Sequence, residues 1–211
     1  ARVAARIRIQ VVRDWMKEFA VAPWDNVHYT GYLRYVVIRE GKNTGKRLVT
    51  LVTAAGELPR KDTLLEGLKP LATTIYHGVN ATQTDVSITP DMTLLHGDAE
   101  LEEEVLGKRF LVPPNSFFQT NSAMAAKLVE TVSDFLGDAK PKMLLDLYCG
   151  VGFFGIALAD RAEHVVGVEL DEAAIAVASR NAERNGVANA TFTAAKAESL
   201  AWENENPDAV I

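Results

Sequence analysis

The stretch Asp146-Leu147-Tyr148-Cys149-Gly150-Val151-Gly152-Phe153-Phe154-Gly155 constrains the fold of this chain more than any other. It continues an apolar run, Met143-Leu144-Leu145, of the kind carried by a strand buried on both faces. The glycines allow a tight turn and a helix that starts at once, packed close on the strand. His164 to Glu169 is a second apolar run, Asp171 is placed to cap a helix through Arg184 that Gly186 ends, and Ala190 to Ala194 is a third run. Strand, helix, strand, helix, strand in that order predicts a parallel, doubly wound α/β sheet.

Upstream of this region the pattern differs. Ile7, Val11, Trp15 and Phe19 follow one another at i+4 steps, with Arg2, Arg6, Arg13 and Lys17 along another side, which predicts a first helix ending before Pro23. Alternation from Val27 through Tyr29, Leu33, Tyr35 and Val37 predicts a strand, Gly41 to Gly45 a turn, and Leu48 to Thr53 the returning strand. A helix near Thr63–Leu68, a strand near Ile75–Val79 and short strands between Leu94 and Val112 complete a small mixed α/β domain over residues 1–112. Pro113-Pro114 then reads as a stiff linker into a second domain over 113–211. This domain opens on a helix capped by Asn121 or Ser122, with an apolar stripe of Met124, Leu128, Val132 and Phe135.

A hydrophobic content of 48% excludes a disordered chain, and a single cysteine excludes a disulfide scaffold. With no apolar run of membrane-spanning length and no signal peptide, the expected location is cytoplasmic. The net charge of −6 hides an asymmetry: residues 1–61 carry 12 Lys and Arg against 5 Asp and Glu, whereas 113–211 carry 7 against 14. A basic leading third on an acidic protein is either a solvated face or a nucleic-acid surface, since phosphate contacts are local.

Two cofactors fit the glycine turn. Gly150, Gly152 and Gly155 spell G-x-G-x-x-G, and Glu169 stands near the offset at which an acid meets the ribose of NAD, so an NAD-dependent oxidoreductase is one reading. Two features favour S-adenosylmethionine. Asp146 ends the first strand, where a carboxylate can lie near a cationic ligand but would repel a pyrophosphate, and Tyr148 supplies an aromatic ring at the turn.

This same motif, preceded by Pro114-Asn115-Ser116-Phe117-Phe118-Gln119-Thr120-Asn121, resembles the RNA uracil-5-methyltransferase family, whose members modify uridines in 23S ribosomal RNA or transfer RNA. The resemblance extends through Leu33 to Gly45 and Gly97 to Glu102. It implies that 113–211 is the first half of a Rossmann-like class I methyltransferase domain, with S-adenosylmethionine as cofactor and RNA as partner, 23S rRNA favoured over tRNA. By the resemblance Gln119, Tyr148 and Glu169 contact the cofactor, while Asp146, Gly150 and Gly152 shape the turn; all six are the expected cofactor-site residues. Family enzymes act through a cysteine that adds to C6 of uracil and a base that removes the C5 proton. Both are expected beyond Ile211, so this stretch alone is expected to be inactive.

The chain departs from the family at two places. Phe153 stands where many members have Asn, and Ala195-Lys196 where Gly-Asp is common in methyltransferases, which leaves a non-catalytic RNA-binding module with a degenerate pocket as a further reading. Cys149 lies inside the cofactor turn with no His or Lys near in sequence to activate it, so it reads as a small buried residue. His28, His77, His96 and His164 lack metal-ligand spacing, and one cysteine excludes the four-cysteine iron–sulfur site of many members, so no metal is expected. Gly41-Lys42-Asn43-Thr44-Gly45-Lys46-Arg47 is one residue short of a P-loop and reads instead as a hairpin tip. Its Lys42, Lys46 and Arg47 are candidates for RNA phosphates, and Arg34 and Arg39 interleave with Tyr29, Tyr32 and Tyr35 as an RNA surface would.

Overall fold

The computed structural model describes residues 2–199 and 206–211, with side chains from Ile9 onward except that of Ser199. The side chains of Arg2, Arg6 and Ile7 in the first helical pattern therefore lie outside the described residues. Two compact units emerge, one of Ala1–Gly41, Gly45–Leu101 and Pro113–Asn115, the other of Lys42–Thr44, Glu102–Val112 and Ser116–Ile211. The division falls after Leu101 instead of at the Pro113-Pro114 boundary expected from composition. The reason is that the last strands before Pro113 carry the aromatic and asparagine contacts of the second unit, described below.

In the first unit, α1 (Arg2–Glu18), β1 (Leu33–Glu40), β2 (Arg47–Thr53), α2 (Lys61–Leu68), β3 (Thr74–Val79) and β4 (Met92–Gly97) follow in order. The sheet order is β1-β2-β3-β4, antiparallel at both ends, with the β2–β3 pair parallel because α2 carries the chain across. Val12 and Trp15 of α1 and Leu64, Leu65 and Leu68 of α2 pack with Val49, Leu51 and Ile75 of the sheet, joined by the half-buried Val11 and Phe19. The Trp15 indole N–H donates to the Pro59 carbonyl at 3.0 Å, fixing α1 against the entry to α2.

The first strand begins at Leu33, not at Val27. Asp25 accepts from the backbone N–H of Val27 at 2.7 Å and of His28 at 3.2 Å, and this local turn overrides the alternation of Val27 and Tyr29. Gly31 closes the turn at φ 106°, where a Cβ would stand 2.1 Å from the Pro23 carbonyl oxygen.

In the second unit, β5 (Leu101–Val105) and β6 (Lys108–Val112) form a hairpin whose turn residues Leu106 and Gly107 both have positive φ. Then come α3 (Ser122–Leu136), β7 (Met143–Leu147), α4 (Phe153–Ala157), β8 (His164–Glu169), α5 (Glu172–Arg184), β9 (Ala190–Ala194) and β10 (Ala209–Val210). The sheet is parallel throughout, in the order β10-β7-β8-β9, the expected Rossmann-like α/β arrangement. Asn121 caps α3 by accepting from Met124 N–H, and Asp171 caps α5 by accepting from Ala173 N–H.

The orientation of α3 differs from the expected stripe. Ser122, Ala125 and Val129 are buried, while Met124, Leu128 and Phe135 are exposed. The Ser122 hydroxyl donates to the buried Glu103 carboxylate, which turns the small-residue face inward. Glu103 also accepts from the backbone N–H of Lys42 at 2.7 Å and Asn43 at 3.1 Å, and the Thr44 hydroxyl donates to the Glu102 carbonyl at 2.6 Å. These bonds are what make Lys42–Thr44 part of the second unit.

Candidate functional site

Parallel α/β sheets bind ligands at the carboxyl ends of their strands, and the glycine turn occupies that end of β7. Leu147 leads into Tyr148 and Gly150, both in left-handed backbone at φ 58° and 53°, and Gly152 at φ 82° leads into α4. A Cβ on Gly152 would stand 3.0 Å from Ile156 Cδ1, 3.1 Å from Ala178 Cβ and 3.1 Å from the Phe192 ring, so strain and crowding both select glycine there.

Asp146 is buried beneath this turn. One carboxylate oxygen accepts from Gly155 N–H at 2.8 Å, tying the first turn of α4 to the end of β7. Loss of hydration pushes its pKa up to about 7, against the smaller opposing effect of the Gly155 hydrogen bond. Asp146 therefore shapes the turn from below, as the glycines do.

Glu169 ends β8 and points at the same turn. One oxygen accepts from Gly150 N–H at 3.2 Å, and the other from Leu170 N–H at 2.7 Å and Asp171 N–H at 3.3 Å. The carboxylate is thus aimed by backbone donors, and with about four lone-pair sites it keeps acceptor capacity for a ligand's hydroxyls. Leu170 beside it and Tyr148 across from it are exposed apolar surfaces.

Gln119 arrives from a distant part of the sequence. Its neighbour Phe118 packs edge-on to Phe153, ring centroids 5.3 Å apart, so the segment before α3 lies against the first residue of α4. Phe153 also meets Phe110 at 5.3 Å and Phe154 at 5.0 Å, and it is buried. At this position the departure from Asn fills an aromatic core; it does not line an open site. Gln119 itself is half-buried.

Two asparagines support the turn. The buried Asn181 donates to the Val151 carbonyl at 3.0 Å and the Leu111 carbonyl at 3.2 Å, and accepts from Leu111 N–H at 2.8 Å. One helical turn later Asn185 exchanges bonds with Arg109, accepting from its N–H at 2.8 Å and donating to its carbonyl at 2.7 Å. Asn181 and Asn185, spaced i and i+4 at the end of α5 and its C-cap, are the available sequence signal for this clamp.

Cys149 is buried, and its thiol is pushed well up by burial first and then by the nearby Asp146 and Glu169 carboxylates. A thiol so placed is not a nucleophile. No group of metal-ligating side chains occurs among the described residues, and no described helix is long and apolar enough to cross a membrane.

The basic hairpin is largely engaged in the first unit. The Arg34 guanidinium stacks 4.4 Å over the Trp24 ring and donates to the carbonyls of Asn80, Thr82 and Thr84. Arg39 donates to the Pro113 carbonyl at 3.3 Å, and Arg47 pairs with Glu40 at 3.0 Å. Tyr32 donates to the Glu57 carbonyl at 2.7 Å and Tyr35 to Asp85. The arginines and tyrosines expected to face RNA thus hold loops in place, while Tyr29 is exposed.

The family model described as tRNA (uracil-5-)-methyltransferase matches residues 95–206. A tRNA (uracil(54)-C(5))-methyltransferase of Pyrococcus furiosus is 40% identical over 90% of this chain and 44% of its own length. An uncharacterized RNA methyltransferase of Nanoarchaeum equitans is 36% identical over 92% of this chain and 43% of its own length. Among solved structures, Pyrococcus abyssi tRNA (uracil-54, C5)-methyltransferase in complex with S-adenosyl-L-homocysteine superposes with a TM-score of 0.79 at 37% identity, covering 92% of this chain and 47% of that one. The M. jannaschii tRNA m1G37 methyltransferase, at 15% identity and TM-score 0.53, covering 89% of this chain and 51% of that one, shares the fold alone. The chain spans less than half the length of the curated relatives named here.

Proposed function

The chain belongs to the tRNA (uracil-5-)-methyltransferase family, and on that premise we propose that the protein methylates C5 of a uridine in RNA with S-adenosylmethionine as methyl donor. The observation that carries this reading is the Glu169 carboxylate, held by three backbone N–H groups at the end of β8 and facing the turn that bears Tyr148. When bound, S-adenosylmethionine supplies a methyl group on a positively charged sulfur. Glu169 accepts from its ribose hydroxyls, Tyr148 packs against its adenosine or methionine portion, and Gln119 reaches it from the segment that Phe118 fixes. Asp146, Gly150 and Gly152 keep the turn in shape.

Methylation at C5 needs a thiolate to add at C6 and a base to take the C5 proton. Cys149 is the chain's single thiol and is buried with a raised pKa, so we place the nucleophile outside these 211 residues. The 211-residue piece alone then binds cofactor without transferring methyl groups.

The family resemblance read from the residues favours 23S rRNA. The Pyrococcus furiosus and Pyrococcus abyssi relatives carry names that specify uracil-54 of tRNA, which supports transfer RNA as the substrate to test first. The test supplies the intact protein with labelled S-adenosylmethionine and, separately, tRNA and 23S rRNA transcripts carrying tritium at uridine C5. Methyl incorporation with matching tritium release is expected from one transcript. Incorporation without tritium release would rule out C5 chemistry, and transfer by the 211-residue piece alone would rule out an external nucleophile.

A further inference from the structure

We propose that Glu198 is a positioning residue of the cofactor site, holding the ring of Tyr148 across the carboxyl end of β8. The inference rests on the S-adenosylmethionine reading above. Tyr148 leaves β7 in left-handed backbone, φ 58°, which turns its side chain outward until 66% of the residue is exposed. A ring so exposed is ordinarily free to change rotamer, and fixing it on binding costs entropy. Here the phenol donates at 3.1 Å to Glu198 Oε1, fifty positions later in the 3-10 turn Ala197–Ser199 that follows β9.

Sheet order gives this bond its meaning. β8 lies between β7 and β9, so a hydrogen bond from the residue after β7 to a turn after β9 spans the end of β8. That end carries Glu169, whose carboxylate is aimed by Gly150, Leu170 and Asp171. The anchored ring and Glu169, the proposed acceptor of the ribose hydroxyls, thus share the carboxyl end of the sheet.

Glu198 suits the role chemically. Its carboxylate raises the Tyr148 phenol above the usual tyrosine range, through the hydrogen bond first and charge second, so the phenol remains a donor at neutral pH. Lys196, two residues earlier and exposed, carries an ammonium that has donors and no acceptor, and cannot take the phenol hydrogen.

The experiment is a double-mutant cycle on the intact protein, with S-adenosylhomocysteine as the probe in titration calorimetry. Tyr148→Phe and Glu198→Ala are each expected to weaken binding about threefold to tenfold, and the double variant no further than either alone. Glu198→Gln, which keeps an acceptor oxygen, is expected to stay within about twofold of the parent and serves if the alanine variant does not fold. The second readout is the phenol titration followed by ultraviolet absorbance, with Tyr148→Phe as the subtraction. Its midpoint is expected to fall to the ordinary tyrosine range in Glu198→Ala.

If the two single effects multiply in the double variant, Glu198 touches the ligand itself and the positioning role is wrong. A phenol midpoint unchanged by Glu198→Ala is equally fatal to it. Failure of the unsubstituted protein to bind S-adenosylhomocysteine overturns the cofactor reading, and this inference with it.

Discussion

Asp146→Asn probes whether the carboxylate beneath the glycine turn is buried as tightly as the structure has it. The folded-state pKa of about 7 stands above the 3.8 of an ordinary aspartate, so the native state binds the extra proton between these values. Asp146 contributes stability that is fully present below pH 3.8 and is lost progressively as pH rises from there through 7. The limiting slope is about 1.4 kcal/mol per pH unit, and integrating over the two titrations gives about 2–3 kcal/mol of stability lost by the parent between pH 5 and pH 8. Asparagine has the carboxyl group's shape, leaves an oxygen for Gly155 N–H and does not titrate in this range. Urea unfolding of parent and variant at matched pH values isolates Asp146, because every other group titrates in both. The parent-minus-variant difference in unfolding free energy is expected to fall by about 2–3 kcal/mol from pH 5 to pH 8. A difference that stays flat, or that rises with pH, would show that the carboxylate is hydrated or paired in the native state and would refute the reasoning.

Three other perturbations test the supports of the site. Gly152→Ala sets a methyl group into left-handed backbone against Ile156, Ala178 and Phe192, and thermal melts are expected to show a loss of about 1–3 kcal/mol. Phe110→Ala removes a fully buried ring that meets Phe118 and Phe153, with an expected loss of about 3–5 kcal/mol in chemical denaturation and weaker S-adenosylhomocysteine binding, because the Gln119 segment loses its packing partner. Glu103→Ala strands the N–H groups of Lys42, Asn43 and Glu104, with about 2–4 kcal/mol lost, while Glu103→Gln, keeping one carbonyl oxygen, is expected to lose less by the same measurement.

What the residues reveal in advance is what is local. The turn, the strand His164–Glu169 and the Asp171 cap are spelled within a few positions of one another, and the structure has each in place. The rotation of α3 is set by Ser122 meeting Glu103, nineteen positions away, and nothing in the helix's own periodicity carries that information. The Asn181–Leu111 clamp joins residues 70 positions apart through side-chain to backbone bonds, which leave no hydrophobic pattern to read. Arg34 shows the opposite limit. Its charge is legible, but a guanidinium that satisfies three loop carbonyls looks in sequence the same as one reaching for phosphate. At Phe153 the family resemblance marks only a departure from Asn, and packing identifies a ring in the core.

The assignment of Lys42–Thr44 to the second unit bears on how this protein can be taken apart. The chain passes between units at 41/42, 44/45, 101/102, 112/113 and 115/116, so no single cut separates them. A fragment starting at Pro113 would lack the β5–β6 hairpin, and with it Phe110 and the backbone partners of Asn181 and Asn185. Extending it back to Glu102 would restore those but leave Glu103 without the Lys42 and Asn43 N–H groups. Exchange of the second unit between related proteins must therefore carry a three-residue hairpin tip along with it, and insertions at that tip should be tolerated less well than at an ordinary surface turn.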